Sequence, residues 1–309
     1  MMYNVSDKIQ GNVMKKIKLL LMLALFSMPL MAERADISWI QSWGYQLQDV
    51  NLSEVENSSY DVIVMDYSKD GDDDSAFSVD EVASLQASGK IVLAYLSIGE
   101  AEDYRFYWKE KWNDDKPAFI EEENSDWAGN YKVKYWYKAW WEKALRPYLD
   151  KIMTAGFDGV YLDIIDGYYY FGEKDDKLRT RANQMVKLVE KIAEYTREEY
   201  GEEFIVSPQN GLAILDDCSK KYKQRYLTAI DAVGVESLYY NTYSEEDKNY
   251  RLEKAEEFSS ANKLILNVEY IDASSYDEYY DTWENSNLNV VGYPAAKDSA
   301  LDELIQAFD

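Results

Sequence analysis

The feature that most restricts this chain is a recurrence of short β-rich apolar runs, each followed by a stretch with helical spacing. The runs lie at residues 37–43, 61–66, 90–97, 159–163, 204–207, 232–236, 263–268 and 289–292. They are apolar and β-branched on both faces, which suits parallel strands covered by helices rather than half-solvated strands. Amphipathic segments follow at 79–87, 140–155, 178–200, 222–230, 245–260 and 299–308, with Gly89, Gly156 and Gly201 placed where helices should stop. Eight such units imply an α/β chain folded as a (β/α)8 barrel. A doubly wound open sheet is the rival, but no Gly-rich phosphate turn follows the first run. No repeat, Pro-rich linker or break in composition divides the chain, so one domain is expected. Residues 102–137, rich in Trp and Tyr, form a long insertion after the third run, where barrel insertions build the rim of the site.

Barrel enzymes hold their chemistry at the carboxyl ends of the strands. Those ends read Asp66-Tyr67-Ser68, Ser97-Ile98-Gly99-Glu100, Asp163 followed by Asp166, Pro208-Gln209-Asn210, Glu236-Ser237, Glu269-Tyr270 and Tyr293. Carboxylates thus converge on one mouth from several strands. An unpaired acid closing an apolar strand is costly, which singles out Asp163 and Glu236. Asp166 is equally readable as a helix cap before Gly167.

The rest of the composition removes competing chemistries. The chain has no histidine and one cysteine, Cys218, so imidazole catalysis, His-ligated zinc and an internal disulfide are excluded. Its net charge of −25 argues against nucleic acid and anionic membrane surfaces as partners. Two opposed carboxylates can hydrolyse a glycosidic bond without a metal or cofactor, and neither is expected here. The 28 tyrosines and 9 tryptophans supply rings that stack on sugars. Tyr131, Tyr135, Trp136, Tyr137, Trp140, Trp141 and Tyr168-Tyr169-Tyr170 are candidate platforms. The acidic run at residues 70–74 lacks the spacing of a calcium loop and reads as a solvated turn.

At the start, Lys15, Lys16 and Lys18 precede an apolar stretch at residues 19–31, and Ala32 offers a small residue for cleavage. This reads as a signal peptide over residues 1–32, with residues 1–13 an extension before Met14. Residues 33–309 are then the barrel, exported to the periplasm or the exterior, with no stable membrane insertion. Four lysines and one aspartate leave with the leader, so the net charge of the remainder becomes −28.

The runs YDVIVMDYS, GKIVLAYLSIGEAEDYR, GFDGVYLDIIDGYYYF, SPQNG, GVESLYY and NVEYID resemble glycoside hydrolase family 114, the endo-α-1,4-polygalactosaminidase-like family, in its bacterial and archaeal branch. The resemblance extends from about Trp43 to Tyr293. It implies a (β/α)8 barrel that hydrolyses α-1,4-linked galactosamine or N-acetylgalactosamine polysaccharide. It places Asp163 and Glu236 on the catalytic aspartate and glutamate, and Asp66, Glu100, Gln209 and Asn210 on the pocket lining. The SPQNG run departs from the KN-type motif of the fungal and actinobacterial branch, which leaves the sugar open. Together with the strand ends, Trp43, Tyr67, Tyr95, Ser97, Asp166, Glu269 and Tyr293 complete the set of substrate-binding candidates. Glu236 is expected to be the acid and Asp163 the nucleophile or stabiliser. Two rivals stand beside this reading: a non-catalytic polysaccharide-binding barrel, and a glycosidase that pairs Asp163 with Glu269.

Overall fold

Strand β1 (Trp43–Tyr45) pairs in parallel with β2 (Val62–Met65), β2 with β3 (Ile91–Ser97), β3 with β4 (Gly159–Asp163) and β4 with β5 (Ile205–Pro208). A second parallel sheet orders β6 (Ala232–Glu236), β7 (Leu264–Tyr270) and β8 (Val290–Ala295). The chain is a computed structural model that describes residues 33–306, so the expected leader lies outside the described residues. From Arg34 onward it forms one compact unit.

The two sheets meet where Gln209, just after β5, bridges Gly234 of β6. Asn210 N donates to Gly234 O at 2.8 Å, and Asp231 N to Val206 O at 2.9 Å. Across the other seam, the Trp43 ring lies 5.8 Å from that of Tyr293, and its Nε1 donates to Asn267 O at 3.2 Å. Neighbours in the chain are therefore neighbours in space through all eight strands, the order of a barrel.

The burial explains the sequence pattern. Every residue of β2, β5 and β8 is buried, as strands covered on both sides require. The layer beneath the strand ends is aromatic: Trp43, Tyr45 and Tyr161 pack with ring centroids 5.3–6.1 Å apart. Gly234 makes room for that layer. A Cβ there would stand 1.9 Å from the Tyr161 hydroxyl.

Helices cover the strands at Val79–Ala87, Arg146–Ala155, Leu178–Glu199, Lys220–Ala229 and Glu245–Ser260, close to expectation. The first begins with a reciprocal Ser78–Glu81 capping box, and Gly156 ends the second in the left-handed region at φ 87°. Among the described residues no helix is long and apolar enough to cross a membrane.

Three elements differ from the sequence reading. Pairing in the first run begins only at Trp43, because Gln41 N and Ser42 N donate instead to the Asp61 carboxylate at 2.8 and 3.1 Å. No helix forms over residues 299–306. Ser299 and Leu301 sit at φ 60° and 52°, and Leu301 O accepts from Leu47 N and Gln48 N at 2.9 and 3.0 Å. A helix instead occupies Tyr276–Glu284, where its Tyr279 hydroxyl donates to Asn267 Oδ1 at 2.7 Å.

The insertion after β3 folds as a small antiparallel sheet of Glu100–Glu102, Asn130–Val133 and Ile120–Glu123. Its aromatic residues largely make its own core. Trp108 stacks on Tyr131 at 4.9 Å, Trp112 meets Phe119 at 5.8 Å, and Phe119 meets Trp140 at 5.7 Å.

Candidate active site

Asp163 and Glu236 close β4 and β6, and both side chains line one cavity of about 860 Å³ at the carboxyl ends of the strands. Neither is left to rotate freely. The Tyr95 hydroxyl, from β3, donates to Asp163 Oδ2 at 2.6 Å, and the backbone N–H of Ile164 donates to Asp163 Oδ1 at 2.7 Å. That second bond needs Ile164 in the left-handed region, at φ 60°, which is costly for a β-branched residue. Gly99 accommodates the kink, since a Cβ there would stand 2.3 Å from Ile164 O.

Asn210, also left-handed at φ 55°, holds Glu236 at two points. Its Nδ2 donates to Glu236 Oε2 at 2.6 Å, and its Oδ1 accepts from Glu236 N at 3.0 Å. The Tyr270 hydroxyl, from β7, donates to Glu236 Oε1 at 2.5 Å. Each acid thus accepts from a phenol of a neighbouring strand and from one further donor.

Burial pushes the Asp163 carboxyl up to about 7, and the charge of Glu236 adds to the rise. The bonds from Tyr95 and Ile164 oppose it. Asp163 therefore holds its proton up to near neutral pH, as a carboxylic general acid must.

A second charged group forms the adjacent wall. Arg105 Nη1 lies 2.7 Å from Asp66 Oδ2, and its Nε donates to Glu102 Oε2 at 2.8 Å. The Tyr104 hydroxyl donates to Glu102 Oε1 at 2.5 Å. Burial raises the pKa of Asp66, and the Arg105 charge acts against that rise. Glu100 is buried with its Oε1 bonded to Asn124 Nδ2 at 3.0 Å, while Oε2 has no hydrogen-bond partner. Eight carboxylates line the cavity against two cations, Lys69 and Arg105, so it favours a cationic or hydroxyl-rich ligand.

Residues 30–309 match the model of glycoside-hydrolase family GH114. The chain belongs to this family. It is a glycoside hydrolase by that membership. An uncharacterized protein of Methanocaldococcus jannaschii is 37% identical over 273 residues, covering 85% of this chain and 77% of that protein. One from Thermotoga maritima is 36% identical over 273 residues, covering 85% and 83%. Among solved structures, Aspergillus fumigatus Ega3 in complex with galactosamine aligns with a TM-score of 0.64 at 15% identity, over 89% of this chain and 99% of that one. The glycoside hydrolase domain of PelA from Pseudomonas aeruginosa aligns with a TM-score of 0.64 at 16% identity, over 85% and 96%. At such identities these two matches speak for the fold alone.

For this GH114 chain, Asp66, Tyr95, Glu100, Asp166, Gln209 and Asn210 join Asp163 and Glu236 around the cavity. Asp166 starts the helix Gly167–Lys174 without a side-chain capping bond. Five other candidates lie elsewhere. Trp43 and Tyr293 belong to the buried interior, and the Tyr293 hydroxyl accepts from Ile305 N at 3.1 Å. Tyr67 is buried with its ring 4.7 Å from that of Tyr148 and its hydroxyl on Asp73 Oδ1 at 3.0 Å. Ser97 Oγ donates to Glu100 O at 3.2 Å. Glu269 has no exposed surface and accepts from Tyr239 N at 2.8 Å and Tyr240 N at 3.2 Å, fastening the loop after β6. Glu269 therefore anchors that loop and does not line the cavity.

None of the platforms expected from the Trp/Tyr clusters lines the cavity. Tyr104, Trp127 and Tyr270 do, together with Ser299 and Leu301 of the C-terminal segment. Strand phase could have found Tyr270: it lies two residues beyond Val268, which pairs with Glu236, so it shares that face while Glu269 does not. Arg105 and Glu102 stood in the quoted GEAEDYR run but carried no signal separating them from surface charges.

Proposed function

We propose that this chain is an exported glycoside hydrolase that cleaves α-1,4-linked galactosamine or N-acetylgalactosamine polysaccharide with Asp163 and Glu236 as its two carboxylates. The observation that carries the proposal is the convergence of these acids on one cavity, each fixed by a tyrosine hydroxyl. One acid protonates the leaving oxygen while the other attacks the anomeric carbon or activates water. The proton comes from the pair itself, because burial and facing negative charges keep one carboxyl protonated near neutral pH. Tyr95 and Asn210 hold the reacting oxygens in place, so little reorganisation is needed as charge moves between them.

The sugar is inferred from charge. Eight acidic groups around the cavity and a net charge of −25 favour a polymer bearing ammonium groups. Export is inferred from residues 15–32 alone.

The test is to incubate residues 33–309 with galactosamine, N-acetylgalactosamine and glucosamine polymers and to analyse the released oligomers by mass spectrometry. Hydrolysis of a galactosamine-type polymer is expected, with a loss of about 10³-fold or more in Asp163→Asn and in Glu236→Gln. Cleavage that survives either substitution refutes the pairing. Binding of the polymer without any cleavage favours the non-catalytic barrel.

A further inference from the structure

The insertion after β3 places two exposed aromatic side chains on the cavity. Trp127 is 62% exposed and lines the cavity, as does Tyr104, which is 46% exposed. The segment carrying Trp127, residues 124–129, is not a loose tip. Asn124 N donates to Asn130 O at 2.7 Å, and Asn130 N to Trp127 O at 3.1 Å. Gly129 N donates to Glu123 Oε1 at 2.8 Å, and Gly129 O accepts from Asp103 N at 2.9 Å. Gly129 sits at φ 88°, and a Cβ there would stand 2.8 Å from Asp103 Oδ1. Asn124 also anchors the segment to the cavity wall through Glu100 Oε1.

Tyr104 is equally fixed. Its hydroxyl is bonded to Glu102, its ring lies 4.9 Å from the Arg105 guanidinium, and Gly71 packs against the ring edge. An exposed indole held on so many backbone bonds loses little freedom when a ligand covers it, and that is the condition under which a flat apolar face binds well. Chance exposure of a tryptophan on a frayed loop would not come with such fastening.

We propose that Trp127 and Tyr104 form a sugar-stacking subsite at the rim, which binds a ring of the polysaccharide chain beyond those at the cleaved bond. The proposal rests on the polysaccharide reading given above and adds to it a dependence on chain length. A C–H face of a pyranose lies on the indole, while Glu100 Oε2, buried and without a partner, accepts a hydroxyl or ammonium hydrogen from a neighbouring ring. Trp127 acts on binding and takes no part in bond cleavage.

The experiment compares wild type, Trp127→Ala and Trp127→Phe on a ladder of α-1,4-linked galactosamine oligosaccharides and their N-acetylated counterparts. Values of kcat and KM are measured at each length. For long oligomers, Trp127→Ala is expected to lower kcat/KM about tenfold, mostly through KM. The shortest oligomer that is cleaved should be unaffected, and Trp127→Phe should recover most of the loss. Binding of the same ladder to the Asp163→Asn variant, with and without Trp127→Ala, should show the same length dependence. A loss equal at all lengths, or no loss at any length, overturns the subsite while wild-type hydrolysis leaves the polysaccharide reading standing. If wild type neither cleaves nor binds any of the ladder, both fall together.

Discussion

Replacing Tyr95 by Phe removes one oxygen from the site and tests how the acids are tuned. The lost contact is the 2.6 Å bond from the Tyr95 hydroxyl to Asp163 Oδ2. A hydrogen bond to a charged group is worth about 1.5–3 kcal/mol, part of which water recovers in an open cavity, leaving a rise of about one pKa unit at 1.4 kcal/mol per unit. Asp163 already stands at about 7, raised by burial and then by Glu236, with the Tyr95 bond restraining it. Its stabilising contribution is complete below the ordinary carboxylate range and is lost as pH climbs through about 7. In the variant that loss should extend about one unit further, to about pH 8. The assay is the pH dependence of kcat/KM on one galactosamine oligosaccharide, with variant and wild type in parallel so that titration of the substrate cancels in the ratio. If Asp163 must be ionised to attack, the acid limb moves up by about one unit; if it donates the proton, the basic limb moves instead. The result therefore decides which role Asp163 plays. A profile whose limbs both stay in place, in a variant that remains folded, refutes the claim that Tyr95 sets the proton affinity of Asp163.

Arg105→Met should destabilise the chain by about 3–5 kcal/mol, because Asp66 and Glu102 would be left buried without their counter-charge. The deficit should shrink as pH falls, since the Asp66 carboxyl, already raised by burial, takes up a proton; thermal unfolding across a pH series reads this, and a pH-independent deficit counts against it. Added salt should lower kcat/KM for a polycationic substrate several-fold between roughly 10 and 500 mM as the Debye length shortens, while a fully N-acetylated oligomer should be little affected. Equal salt dependence for the two substrates would remove the electrostatic argument for an ammonium-bearing polymer.

The strands were legible because burial on both faces leaves an unbroken apolar run, and the acids at their ends stand out against it. Legibility failed where bonds to distant parts of the chain captured backbone groups. Asp61 takes the N–H groups of Gln41 and Ser42, and the first ladder starts late. Leu301 gives its carbonyl to the segment after β1, so an amphipathic pattern near the C-terminus does not become a helix. At β7 the acid drew attention, yet the strand turns Glu269 away from the cavity and brings Tyr270 to Glu236. Counting tyrosines and tryptophans could not sort core from rim. Trp43 and Tyr293 fill the interior, Trp108 and Tyr131 stack within the insertion, and the indole that reaches the cavity comes from a short polar turn.

The excursion between β3 and β4 leaves Ser97 and returns its chain to Gly159, the start of the strand that pairs with it, while the two acids proposed to react close β4 and β6. On the proposed reading, recognition at a distance and bond cleavage are therefore encoded in separable stretches of the gene. A lineage can recast the turn around Trp127, and with it the decorations tolerated along a polymer, while leaving the proton-handling machinery unaltered. Descendants of one ancestral barrel can in this way diverge in diet before they diverge in chemistry.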